Sequence, residues 1–278
     1  MESVYYREIA PCEALRQQIH TYWILTQDAL SDASPEKVLP DGRTEILFDF
    51  GAPYRWVGQA PLAPRGRVVG QIRSYIELIP SGPVALLGVR LEASALQRLI
   101  GSTAGELTGT SAPFDELELF ELAALEERLH ELSSWSARLE LVERVFMKLL
   151  LAPGRTDSLV EGVADFMRRS GGRHDVGQVA RHFGASVRTI ERRFAKGIGL
   201  SPKLFSRQVR LQRVFSLIEG RHSVPWSQIA VASGCFDQAH LSREFRQLAG
   251  EPPEAFLRAE HQLAEHLTGL SKTAEPGS

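Results

Sequence analysis

The chain has 278 residues, of which 43% are hydrophobic and 24% charged, and its formal net charge is −2. That length suits two domains of roughly 100–200 residues, and no apolar run approaches the ~18 residues that a membrane-spanning helix needs. Cys12 and Cys235 are the only cysteines, which excludes a disulfide framework and a cysteine-based zinc site.

Residues 1–8 contain no basic stretch followed by an apolar one, so no signal peptide is expected and a cytoplasmic location is. A short helix is expected over 13–24. Strands are expected at 45–50, after the turn signal Pro40-Asp41-Gly42, and at 68–72 and 75–79, before the breaker Pro80-Ser81-Gly82-Pro83. Residues 84–91 form a nearly continuous apolar run, as in a buried strand. A second short helix over 93–100 is stopped by Gly101. Glycine and proline punctuate these runs at intervals that suit a small barrel or sandwich. Two residues here are candidates for an effector pocket. Arg90 ends an apolar strand, where its cation either orients an anionic effector or reaches to the surface. Trp23, beside Tyr22, either lines a pocket or belongs to the core.

From 115 to 151 the apolar period becomes helical. Leu117, Phe120, Leu122, Leu125 and Leu129 form one stripe. Leu139, Val142, Val145, Phe146, Leu149 and Leu150 form a second, with Ser133-Ser134 as N-cap. These helices either cover the strands or form a homodimer interface. Ala152-Pro153-Gly154-Arg155 reads as a linker. It divides the chain into a β-rich regulatory or association domain over 1–152, an all-helical domain over 156–267 and a polar tail over 268–278. Helices are expected near 157–169, 175–182, 186–196, 202–219, 225–233, 237–248 and 253–267. The charge divides with the domains. Residues 1–154 carry 21 acidic against 14 basic side chains, while 168–248 carry 15 basic against 5 acidic. A basic domain joined to an acidic one fits an electrostatic DNA footprint.

Within the basic domain a pattern occurs twice. Gln178-Val179-Ala180, Gly184, Ile190, Arg192 and Phe194 recur as Gln228-Ile229-Ala230, Gly234, Leu241, Arg243 and Phe245. The offset is 50 residues before the turn and 51 after it, so the second copy has one extra turn residue. Each copy reads as a helix-turn-helix, with a small alanine on the first helix and a glycine suited to positive φ in the turn. Ser186 and Asp237 are the expected N-caps. Val187, Ile190 and Phe194 are expected to face the core, as are Leu241 and Phe245. The base-reading candidates are then Arg188, Glu191 and Arg192 in the first unit and Gln238, Ala239, Ser242 and Arg243 in the second. Arginine pairs with guanine, glutamine with adenine, and Glu191 accepts from cytosine. Arg168, Arg169, Arg193, Lys196, Lys203, Arg207 and Arg246 are phosphate candidates, and His240 a phosphate or packing residue. Two such units in one chain can enter successive major grooves of double-stranded DNA, about 34 Å apart, without dimerisation.

Residues 157–260 resemble the AraC-type (AraC/XylS) transcription regulators. The resemblance rests on Gly199-Leu200-Ser201-Pro202, Arg210-Leu211, the run from Gly234 through Phe245, and Gly250-Glu251-Pro252-Pro253 with Phe256. It implies seven helices, with a long one near 202–219 rigidly linking the two units. Cys235 stands where a large aromatic is usual, and Phe236 beside it is expected to supply the ring. Phe205 stands where tyrosine is usual. The N-terminal part is similar to a less characterised sensor type, through Tyr22-Trp23, Leu39-Pro40-Asp41-Gly42, Val69-Gly70 and Leu87-Gly88-Val89-Arg90. That similarity implies a cupin-like or related β-barrel and names no ligand. The fold class expected is therefore α+β, a β-barrel-like domain with helices followed by two helix-turn-helix units.

The function expected is DNA-binding regulation of transcription, with RNA polymerase a further potential partner, an effector of unknown chemistry and no membrane. No enzyme, metal or cofactor is expected. Residues 1–154 hold only His20 and His130, too few for a metal oxygenase, and one cysteine there cannot build a four-cysteine repair site. There is no nucleophile elbow or phosphate-cradling glycine loop. The alternative is an interaction protein whose N-terminal domain binds a protein partner instead of a small molecule.

Overall fold

The computed structural model describes residues 4–28, 35–58, 65–152, 156–219 and 224–258. Its N-terminal part contains two antiparallel sheets. The larger has the order β1 (Val4–Ile9), β2 (Ile19–Gln27), β8 (Val84–Leu91), β4 (Thr44–Asp49), β6 (Arg67–Val69) and β9 (Ser111–Pro113). The smaller has the order β3 (Glu36–Val38), β7 (Ile76–Pro80) and β5 (Tyr54–Trp56). Neither sheet closes on itself, so the expected barrel is corrected to two open, facing sheets.

The central strands bury both faces. Alternation sends Tyr22, Ile24, Ile46, Phe48, Leu87, Val89 and Leu91 into the main core. Trp23, Leu25, Val84 and Leu86 pack with Tyr54 on the opposite face, toward the smaller sheet. This two-sided burial is why residues 84–91 read as an unbroken apolar run. Gly88 lies opposite Trp23, and a Cβ on it would fall 2.0 Å from the indole, so the tryptophan can lie across the strand only above a glycine.

The helix expected over 13–24 is absent. A single 3-10 turn, Glu13–Leu15, leads into β2, which pairs with β1 on one side and β8 on the other. Two strand partners outweigh a local apolar spacing that helix and strand share. The strand expected over 68–72 is also shorter, ending at Val69. Helix α1 (Leu96–Ile100) stops at Gly101, where φ is +67°. Helices α2 (Phe120–His130) and α3 (Trp135–Leu151) cover the main core with Leu122, Leu125, Leu129, Val142, Phe146 and Leu150. Ser134 caps α3 by accepting from the Ala137 amide. Phe120 leaves the expected stripe and is exposed.

The C-terminal helices are α4 (Ser158–Arg169), α5 (Val176–His182), α6 (Val187–Ile198), α7 (Pro202–Ile218), α8 (Trp226–Ser233), α9 (Gln238–Ala249) and α10 (Pro253–Phe256). The part of the last expected helix beyond 258, and the tail, lie outside the described residues. Ser201 caps α7 and Pro202 opens it, at a position where its missing N–H costs nothing. Helix α7 belongs to two cores. Phe205 and Val209 pack with Met167, Ile190 and Phe194. Leu211, Val214, Phe215 and Ile218 pack with Ile229, Leu241, Phe245 and Phe256.

The N-terminal part docks directly on this helical pair. Leu39 enters the core around Phe215, and Ala93 the core around Phe194. Gln208 Nε2 donates to the Ile72 carbonyl (2.8 Å), and Gln212 Nε2 to that of Pro40 (3.2 Å). The Tyr75 amide donates to the Leu248 carbonyl at 2.6 Å. Among the described residues no helix is long and apolar enough to cross a membrane, and no group of three metal-ligating side chains converges.

Candidate nucleic-acid interface

The sequence repeat is also a structural one. In the first unit the Ala185 amide donates to the Ala180 carbonyl at 3.0 Å, and in the second the Cys235 amide donates to that of Ala230 at 2.8 Å. Gly184 (φ +60°) and Gly234 (φ +92°) make the two turns. Ser186 Oγ accepts from the Thr189 amide at 3.1 Å, and Asp237 Oδ1 from the His240 amide at 2.6 Å. Ile190 and Phe194, then Leu241 and Phe245, are buried as expected. Val187, expected inside, is 40% exposed, because the first residue after the cap lies outside the turn that packs. A capping box at Asp175 and Gln178 fixes the start of α5.

The offset between the two units changes from 50 to 51 between Cys235 and the cap at Asp237, so the extra residue is Phe236. It was expected to fill the core behind Cys235. It is instead 88% exposed at the start of α9, while Cys235 alone is buried. The core there is closed by Phe215, Phe245 and Phe256, whose ring centroids lie 5.6–5.7 Å apart. The signal that marked Phe236 as special was the insertion itself.

Arg188, Glu191 and Arg192 are exposed on α6, as are Gln238, Ala239 and Arg243 on α9, with Ser242 half-buried. Among the described residues none of the three arginines has a hydrogen bond or ion pair, so all can meet a ligand. Lys196, Lys203 and Arg246 are likewise exposed. Arg169 is exposed and pairs with Asp165 within its own helix at 2.8 Å.

Four phosphate candidates are engaged within the protein instead. Arg168 is half-buried against the N-terminal part, donating to the Gly42 carbonyl (2.7 Å) and pairing with Glu92 (3.1 Å). Burial and the neighbouring Arg43 pull its guanidinium down to about 10, so it stays charged at neutral pH. Arg193 grips Asp157, the N-cap of α4, with Nε 2.6 Å from Oδ2. Burial would raise that carboxyl, but Arg193 and the amides of Val160 and Leu159 hold it below its ordinary value. Arg207 pairs with Glu244 (3.2 Å) and Gln247. His240 accepts from the Phe236 amide at Nδ1 (3.2 Å), and its Nε2 lies 3.4 Å from Glu244. Glu244, which the sequence reading passed over, anchors α9. Arg210 grips it with Nη2 and Nε, at 2.7 and 3.1 Å, and donates from Nη1 to the Gly172 carbonyl.

A cavity of about 120 Å³ lies between the two sheets, walled by Trp23, Leu25, Leu47, Tyr54, Trp56 and Leu86. Trp23 does line it. Arg90 does too, but it neither reaches the surface nor offers a free cation. It is 4% exposed, with Nε 2.6 Å from Glu45, 3.8 Å from Asp41 and Nη1 3.5 Å from Glu8. Trp23 Nε1 donates to the same Glu45 at 2.9 Å. The other lining charges are paired as well, Arg43 with Asp41 and Arg67 with Asp49 at 3.6 Å each. Burial pushes the Asp49 carboxyl up to about 6, against the pull of Arg67.

Residues 179–259 match the family model described as a helix-turn-helix domain, and residues 7–113 match a domain of unknown function (DUF6597). No curated protein matches the chain. Among solved structures, the C-terminal domain of AraT, a response regulator from Geobacillus stearothermophilus, is 18% identical with a TM-score of 0.36, covering 37% of this chain and 87% of that one. ToxT from Vibrio cholerae is 10% identical with a TM-score of 0.47, covering 92% of this chain and 98% of its own. Wild-type ToxT with an unsaturated fatty acid bound is 13% identical with a TM-score of 0.46, covering 85% and 94%.

Proposed function

We propose that this DNA-binding transcription regulator, AraC-type in its helix-turn-helix domain, reads two successive major grooves with α6 and α9. The observation that carries the reading is the duplicated unit, with the same turn bond, the same N-cap and an unpaired arginine at Arg192 and Arg243. Arg188, Glu191 and Arg192 read one half-site, and Gln238, Ala239, Ser242 and Arg243 the other. Arg169, Lys196, Lys203 and Arg246 hold phosphates. Residues 1–152 form the regulatory domain and 156–267 the reading domain, in a cytoplasmic protein that binds and does no chemistry. RNA polymerase and a second copy of the chain are the partners such a role brings.

The cavity between the sheets is the effector site of this reading. Its acids and bases neutralise one another in pairs, so a neutral, largely apolar molecule suits it better than the anion that Arg90 suggested. An ion there would leave one buried charge unbalanced. Its volume is close to the ~150 Å³ of an engineered apolar cavity that accommodates benzene, which sets the size class at about one ring.

Fluorescence anisotropy of the full chain on a duplex selected from a randomised library tests the reading. Wild-type binding should beat nonspecific competitor. Arg192→Ala and Arg243→Ala should each lose roughly 1–3 kcal/mol on the selected site and little on random DNA. Equal losses on both DNAs would mean that these arginines only clamp the backbone.

A further inference from the structure

We propose that Phe236, with Ala239, forms an apolar reading surface on α9 that recognises the 5-methyl groups of thymine in the second half-site. This rests on the reading above and adds a sequence preference to it. Position by position, α9 and α6 differ where each helix opens, and Gln238 stands where α6 has the 40% exposed Val187. Ala239 stands where α6 has Arg188, and Phe236 has no counterpart at all. On α8, Val231 stands where α5 has Arg181 and is 66% exposed. The second unit thus places Ala239 and Val231 where the first has Arg188 and Arg181, and adds Phe236 before the cap.

Phe236 is the most exposed large apolar side chain among the described residues. A single exposed apolar residue is ordinary, but this one is held in place. Its amide donates to Nδ1 of His240, and Asp237 next to it caps the helix. His240 in turn is braced by Glu244 and, through it, by Arg210 of α7. The ring is therefore carried on a fixed backbone at the N-terminal end of the reading helix, the end that meets base edges in this motif. In the major groove only thymine displays a methyl group, and phenylalanine and alanine are the kinds of side chain that contact it.

The test replaces each thymine of the selected duplex in turn by uracil, which removes the methyl and nothing else. Wild-type protein should lose about fourfold in affinity at one or two thymines of one half-site, the equivalent of one buried methyl group. Phe236→Ala should bind the parent duplex more weakly and be indifferent to uracil at those same positions. Ala239→Arg should shift the selected base near them toward guanine. The same uracil profile in wild type and Phe236→Ala would overturn the proposal, and so would a uniform loss on every duplex. Failure to select any sequence would sink the regulator reading and this one with it, whereas a selected site with additive uracil effects sinks only this one.

Discussion

Arg193 and Glu244 occupy equivalent positions in α6 and α9, and neither faces a ligand. Arg193 ties α6 to the cap of α4, and Glu244 ties α9 to Arg207 and Arg210 of α7. The residue after each proposed reading arginine therefore ties its helix to a neighbouring one. Charge alone cannot separate these roles in sequence, because an arginine for phosphate and one for an internal carboxylate look the same. Salt dependence separates them. Lys196→Ala or Arg246→Ala should flatten the slope of log affinity against log salt by about one. Arg193→Ala and Arg207→Ala should leave that slope unchanged and lower stability, for the partly exposed Arg193 by no more than about 1 kcal/mol. A changed slope in Arg193→Ala would return it to the phosphate set. Asp49 gives a second signature. Its carboxyl is raised from 3.8 to about 6, so the folded state holds its proton where the unfolded chain has released it. Its contribution is fully present below about pH 4 and is lost as pH rises through about 6, by roughly 3 kcal/mol. Denaturant midpoints of Asp49→Asn against wild type should diverge across that window, and parallel curves would place the carboxyl elsewhere.

Several helices were legible because their boundaries are chemical. Ser134, Ser186 and Asp237 each cap the helix they precede, and their hydroxyl or carboxylate accepts the orphan amide. The sheet half was legible only in part. Residues 84–91 formed the strand expected of them, but β2 did not look like one. Its Tyr22-Trp23-Ile24-Leu25 core buries both faces and shows no alternation to read. The docking of one half on the other was also hidden, since much of it runs through backbone carbonyls. Gly199 illustrates this. It ends α6 at φ +89°, its carbonyl accepts from Thr108 Oγ1 at 2.9 Å, and a Cβ would stand 2.0 Å from that oxygen. Gly199→Ala should cost more than about 1 kcal/mol, from the left-handed backbone together with the clash. Relieving the clash with Thr108→Ala should restore only part of it. Full recovery would mean that the backbone term is negligible.

At the scale of the molecule, the reading helices are held by more than their own domain. Glu92, at the end of β8, sits between Arg43 (3.4 Å), His20 (3.3 Å) and Arg168 of α4 (3.1 Å). Burial would raise its carboxyl, but the hydrogen bond from His20 and the charges of Arg168 and Arg43 hold it well below the usual carboxylate range. That stability is present above the ordinary glutamate value and is lost as pH falls toward the folded one. With its charge removed, Arg168 loses its ion-pair partner across the junction and Arg43 keeps Asp41, at 3.6 Å. The same junction continues through Gln208 and Gln212 to α7 and through Tyr75 to the end of α9, so it fixes both reading units against one body. The proposed base-readers other than the half-buried Ser242 are exposed in the docked arrangement, so that arrangement can meet DNA. Glu92→Gln should therefore raise hydrogen exchange in α4 and in residues 39–43, and weaken binding to the selected duplex several-fold without changing the salt slope. Tighter binding by the variant would show that docking restrains the readers instead of presenting them, and the N-terminal half would then act as a brake.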